Sequence, residues 1–67
     1  MINTELLLSY IVKSKHKIVD IAEQLNLSEI GFIKRVGNMA DFTFEQVNAL
    51  CDILGIPNTE AVKVFFK

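Results

Sequence analysis

Sixty-seven residues, 51% of them hydrophobic and 22% charged, suit a single folded domain spanning residues 1–67 and argue against a disordered chain. Seven Lys and Arg stand against eight Asp and Glu, a net charge of −1 that differs from the basic balance of a domain gripping phosphate over a wide surface. One cysteine and one histidine exclude an internal disulfide and a zinc site, no tract reaches the roughly 18 apolar residues of a membrane span, and Met1-Ile2-Asn3-Thr4-Glu5 lacks the basic region of a signal peptide, so a cytoplasmic protein without cofactors is expected.

In chain order, Asn3 or Thr4 can cap a first helix of about ten residues carrying Leu6, Leu7, Tyr10 and Ile11. The basic run Lys13-Ser14-Lys15-His16-Lys17 follows. Ile18, Ile21, Ala22 and Leu25 then recur at i, i+3, i+4, i+7, which predicts a second helix over 18–25. Asn26 tolerates the left-handed backbone common just past a helix end, and Leu27 leads into Ser28, an N-cap for a third helix from 29 to about 36. Gly37-Asn38 ends that helix. Thr43-Phe44-Glu45-Gln46 has the T-x-x-Q form of a capping box. The fourth helix places Phe44, Val47, Leu50, Cys51 and Leu54 on one stripe before Gly55 and Pro57 stop it. Asn58 or Thr59 can cap a last helix with Val62, Phe65 and Phe66. No strand alternation, internal repeat or low-complexity linker is present, so the expected fold is all-α, a compact five-helix bundle.

Two helices joined by a turn of about three or four residues, with a small residue where they cross, are the physical core of a DNA-reading helix-turn-helix. Here it spans about 18–36, with Ala22 as the small residue, Leu27 plugging the corner and Phe32 and Val36 anchoring the third helix inward. The wording Ile21-Ala22-Glu23-Gln24-Leu25-Asn26-Leu27-Ser28 with Gly31-Phe32, the helix Leu50-Cys51-Asp52-Ile53-Leu54 and the tail Phe65-Phe66-Lys67 resemble the phage Cro and repressor family, in its short stand-alone regulators. The resemblance runs over residues 4 to 67 and implies a fold whose third helix docks in the major groove of operator DNA, commonly as a dimer, in a phage lysis–lysogeny switch inside a bacterial host. The departures are local. Ile18 stands where the family often has Gln, Glu29 and Ile30 where it offers Arg or Gln, and Met39-Ala40-Asp41-Phe42 carries no cation.

With Phe32 and Val36 inward, about 100° of turn per residue brings Ile30 and Lys34 outward, flanked by Gly31 and Ile33. Ser28, Glu29, Ile30, Gly31, Ile33 and Lys34 are therefore the candidate base-edge or partner-contact face, and Lys15, Lys17 and Arg35 the candidate phosphate ligands. Lys17 opposes the helix dipole at the start of the second helix, which phosphate neutralisation explains and a solvated basic loop also accommodates. A competing reading makes Ile30 and Ile33 an apolar patch for a protein, as in an antirepressor that grips a phage repressor. Cys51 reads as a core thiol. The chain lacks a Ser/His/Asp set and a Gly-rich phosphate loop, so no enzyme activity is expected. Val64, Phe65 and Phe66 are the expected homodimer contact, because one short helix cannot bury them all on one side.

Overall fold

Side-chain caps and left-handed turns divide the chain into its elements. The computed structural model describes residues 1–66, and among these it has five α-helices and no strand: α1 (Thr4–Ser14), α2 (Ile18–Gln24), α3 (Glu29–Val36), α4 (Phe44–Leu54) and α5 (Asn58–Phe65). Asn3 starts α1, its Oδ1 accepting the Leu6 amide at 3.2 Å. Thr4 is already helical, and its hydroxyl donates instead to the Val36 carbonyl at 2.7 Å. Ser28 Oγ accepts the Gly31 amide at 3.0 Å and starts α3. The expected capping box is present in full: the Gln46 amide donates to Thr43 Oγ1 at 3.1 Å, and the Thr43 amide to Gln46 Oε1 at 2.9 Å. α5 departs from expectation. Pro57 holds the N-cap position with no side-chain bond, and its fixed φ of −69° delivers the chain so that Asn58 is already the first helical residue.

Three helices end alike. Asn26 (φ 58°), Asn38 (φ 64°) and Gly55 (φ 66°) enter the left-handed region. Each following amide then reaches back across the reversal: Leu27 to the Ala22 carbonyl at 2.9 Å, Met39 to Lys34 at 2.8 Å, and Ile56 to Cys51 at 2.9 Å. Asparagine supplies two of these three reversals because its short polar side chain tolerates a backbone that most L-residues avoid. In the Gly37-Asn38 pair the reversal falls on Asn38, while Gly37 keeps an ordinary φ of −88°.

Each helix sends one side chain to the centre of the core: Leu7, Ile21, Phe32, Leu50 and Val64 are all fully buried. Burying such a side chain is worth about 1.5–3 kcal/mol. No polar or charged side chain is buried among the described residues, so the interior carries no desolvation cost for ions. Phe42, in the α3–α4 connection, links two helices through its ring. It lies 5.9 Å from Phe32 in a tilted pair and 6.3 Å from Phe65 edge-on. No described helix is long and apolar enough to cross a membrane.

Two sequence expectations about burial are corrected. Phe44 does not join the buried stripe of α4; as the first helical residue it projects past the bundle and is 78% exposed, while Leu50 and Leu54 complete the stripe. On α5, Val64 and Phe65 are core residues and of the expected dimer contact only Phe66 faces solvent. α5 packs against α1 and α4, and the Asn3 amide donates to the Val64 carbonyl at 2.8 Å where α5 meets the start of α1.

Ala22 tests the packing of α2 on α3. It is 1% exposed, so Ala22→Leu must push the helices apart, a kind of overpacking that costs about 1–3 kcal/mol. At roughly 4–8 °C per kcal/mol for a domain of this size, the thermal midpoint followed by circular dichroism should fall by about 5 °C or more. An unchanged midpoint would show that the space at Ala22 is not limiting.

Candidate functional site

The connection from α2 to α3 is the four residues Leu25-Asn26-Leu27-Ser28. Leu25 is buried, Asn26 reverses the backbone, Leu27 is half-buried against the core and Ser28 caps the next helix. Every residue in the turn thus has a separate structural task, and together they set the direction in which α3 leaves α2.

Phe32 and Val36 root α3 in the core. Its opposite side is open: Ile30 is 67% exposed and Ile33 50%, and Ser28, Glu29 and Lys34 are exposed beside them. Gly31 is half-buried on the same helix, and its lack of a side chain matters. A Cβ there would lie 3.0 Å from Ser28 Oγ and 3.3 Å from Arg35 Nη1, so glycine lets the capping hydroxyl and the guanidinium both keep their places. Of the six residues expected at a base-edge or partner face, Ile30, Ile33 and Lys34 lie together on the side opposite Phe32 and Val36, while Ser28 and Glu29 are exposed at the start of α3 and Gly31 is half-buried.

Arg35, expected among the phosphate ligands, has two of its donors turned onto the protein. Its Nη1 donates to the Gly31 carbonyl at 2.8 Å and its Nε to the Asp41 carbonyl at 3.2 Å. The guanidinium is committed to bracing the α3–α4 connection. Sequence spacing could not have shown this, because the second acceptor is a backbone carbonyl placed by the turn at Asn38. Lys15 and Lys17 do stand free in solvent at the α1–α2 junction, with His16 between them. Lys15 is itself left-handed, at φ 62°, and Lys17 holds the N-cap position of α2 without a side-chain bond. Among the described residues the one ion pair is Lys63–Glu60 on α5, at 3.3 Å, so Lys15, Lys17 and Lys34 meet no carboxylate.

A clamp not foreseen from the sequence secures the other end of α3. The Asn38 carboxamide accepts the Ile2 amide at 2.7 Å and donates to the Ile2 carbonyl at 3.0 Å, pairing with the chain ahead of α1 as a neighbouring strand would. With the bond from Thr4 to Val36, it fastens α3 to α1. A second surface lies between α4 and α5, where Phe44 and the 69%-exposed Phe66 flank a groove of about 640 Å³ that also contains Val47, Cys51 and Ala61. Burial, and secondarily the charge of Asp52, push the Cys51 thiol up from its ordinary range, so it stays protonated at neutral pH and acts as a packing group.

Neither a family model, nor a curated protein, nor a solved structure matches the chain.

If Arg35 braces the connection, its loss should be felt there first. Arg35→Ala should cost about 1 kcal/mol, the worth of a modest pair of partly exposed bonds. Amide exchange at Asp41 and Phe42 should speed up more than at Leu50, in the core of α4. Uniform acceleration across the chain would assign Arg35 a global role instead.

Proposed function

We propose that this protein is a DNA-binding regulator of transcription of the phage Cro/repressor type, which lays α3 in the major groove of an operator in the cytoplasm of a bacterial host. The observation that carries the reading is the open face of α3. Ser28, Glu29, Ile30, Ile33 and Lys34 are exposed on a helix that Phe32 and Val36 root in the core and whose direction is set by a four-residue turn from α2. A core-facing α3 anchored by Phe32 and Val36 holds its outward side chains in fixed register, as base reading requires. Lys15 and Lys17 serve as phosphate ligands that position the domain, and Ser28, Glu29, Ile30, Gly31, Ile33 and Lys34 form the surface toward the base edges. No catalytic step is part of this reading.

The molecule measures 27 × 24 × 21 Å, less than the roughly 34 Å that separates half-sites one helical turn apart. One copy thus covers one half-site, and a two-fold operator takes two copies, with Phe66 and the α4–α5 groove as the surface through which they associate. With Lys15, Lys17 and Lys34 as the free cations near the interface, about two or three phosphates are neutralised per protomer. The slope of log K against log salt is then about −2 to −3 per protomer.

A second reading has its own support. Arg35 is engaged by backbone carbonyls, the α3–α4 connection carries no cation, and Ile30 and Ile33 are widely exposed. These features favour an antirepressor that offers the same face of α3 to a phage repressor protein.

One set of titrations separates the readings. For the DNA regulator, Lys34→Ala should cost about 1–3 kcal/mol at the preferred duplex and relax the base preference there. Lys17→Ala should weaken all duplexes alike and reduce the salt slope by about 1. For the antirepressor, Ile30→Ala should remove about 2 kcal/mol or more from repressor capture and Lys34→Ala almost nothing. Absence of salt-sensitive duplex binding in fluorescence anisotropy, beside tight repressor binding, would overturn the DNA reading.

A further inference from the structure

We infer that Ile30 and Ile33 select thymines through their 5-methyl groups, with Lys34 contacting a guanine beside them; the inference rests on the DNA reading of α3. In the major groove, among the four standard bases, only thymine displays an apolar group, its C5-methyl. Every other edge offers hydrogen-bonding atoms, and an isoleucine pressed over one of those would strip its water without replacing the bond. Ile30 and Ile33 are 67% and 50% exposed on the face proposed to enter the groove.

The polar alternatives on that face are few. Ser28 Oγ accepts the Gly31 amide and keeps only its O–H to donate, and Arg35 directs Nε and Nη1 back onto the Asp41 and Gly31 carbonyls. Glu29 is repelled by phosphate wherever it cannot reach a cytosine amino group. Lys34 remains as the one free cation on the helix, and guanine, with two acceptors on its major-groove edge, is its natural partner. Duplex DNA rather than a neutral apolar surface is the fitting occupant because Lys34, Lys15 and Lys17 have no carboxylate partner among the described residues. Spacing adds a constraint. Ile30 and Ile33 are about 4.5 Å apart along the helix axis, a little more than one base-pair step of roughly 3.4 Å. The two methyls therefore belong to neighbouring base pairs, next to the guanine read by Lys34.

The test uses the full chain and a randomised DNA duplex pool, from which the tightest-binding duplex is enriched. Each thymine of that duplex is then replaced singly by deoxyuridine, which removes the methyl and keeps the base pair. Two neighbouring thymines should be sensitive, each replacement weakening binding by about fourfold. With Ile30→Ala, one of the two positions should become insensitive while the other keeps its full effect, and Ile33→Ala should give the converse. Both side chains are exposed enough for the variants to fold, which circular dichroism checks. An enriched duplex that binds equally well with every thymine replaced would overturn methyl reading and leave DNA binding standing. Failure to enrich any duplex would overturn both.

Discussion

The structure turns on the reversal at Asn26. Its left-handed backbone lets the Leu27 amide close onto the Ala22 carbonyl at 2.9 Å, which ends α2 and fixes the exit angle of the chain. Ala22 is small enough for α3 to settle against α2 along that exit. Phe32 then reaches the core and Phe42 packs on it from the far side. Had α2 continued for another turn, Leu27 would leave the corner, Ser28 would cap nothing, and the outward side chains of α3 would lose their common direction. The features of the candidate interface that α3 carries all lie downstream of this one backbone conformation.

Charge is separated from the core with unusual simplicity. No polar or charged side chain is buried among the described residues, and Arg35 is the cation of α3 with hydrogen bonds to the protein, through carbonyls rather than carboxylates. The consequence is a division between a braced half of α3, facing the α3–α4 connection, and a free half facing solvent. On the free half, two branched apolar side chains flank a single ammonium. Such a surface recognises by shape and desolvation first and by charge second, which is why two classes of partner, a base-pair edge and an apolar protein face, both suit its chemistry.

How legible this was depended on the range of the interactions involved. Ser28, the Thr43–Gln46 capping box and the stops at Asn26 and Gly55 act within a few residues, and each was readable from spacing alone. The five-helix, all-α architecture followed from them and from the i, i+3, i+4 pattern. The outward side of α3 was also readable, since Phe32 and Val36 define its inward side. What escaped was set by tertiary placement. Periodicity puts Phe44 on the stripe with Leu50, but at the first position of α4 it stays at the rim of the α4–α5 groove, mostly in solvent. Val64 looked surplus because a short apolar helix has no evident inside until its neighbours are known, and here α1 and α4 cover the side that carries it. The bonds of Arg35 to the protein also escaped, because composition cannot tell that a carbonyl six positions later is within reach.

That bond between Asn3 and Val64 also bears on topology. It brings Asn3 and Val64, near the two ends of the described residues, into backbone contact at 2.8 Å, and the Asn38 clamp on Ile2 holds the same region to α3. Little sequence would be needed to splice the two ends into a circle, because the cost of closing a loop grows only with the logarithm of its length. The arrangement of the five helices is therefore a property of their packing more than of the order in which the chain visits them. Circular permutants and head-to-tail concatemers are accordingly natural engineering formats for this fold.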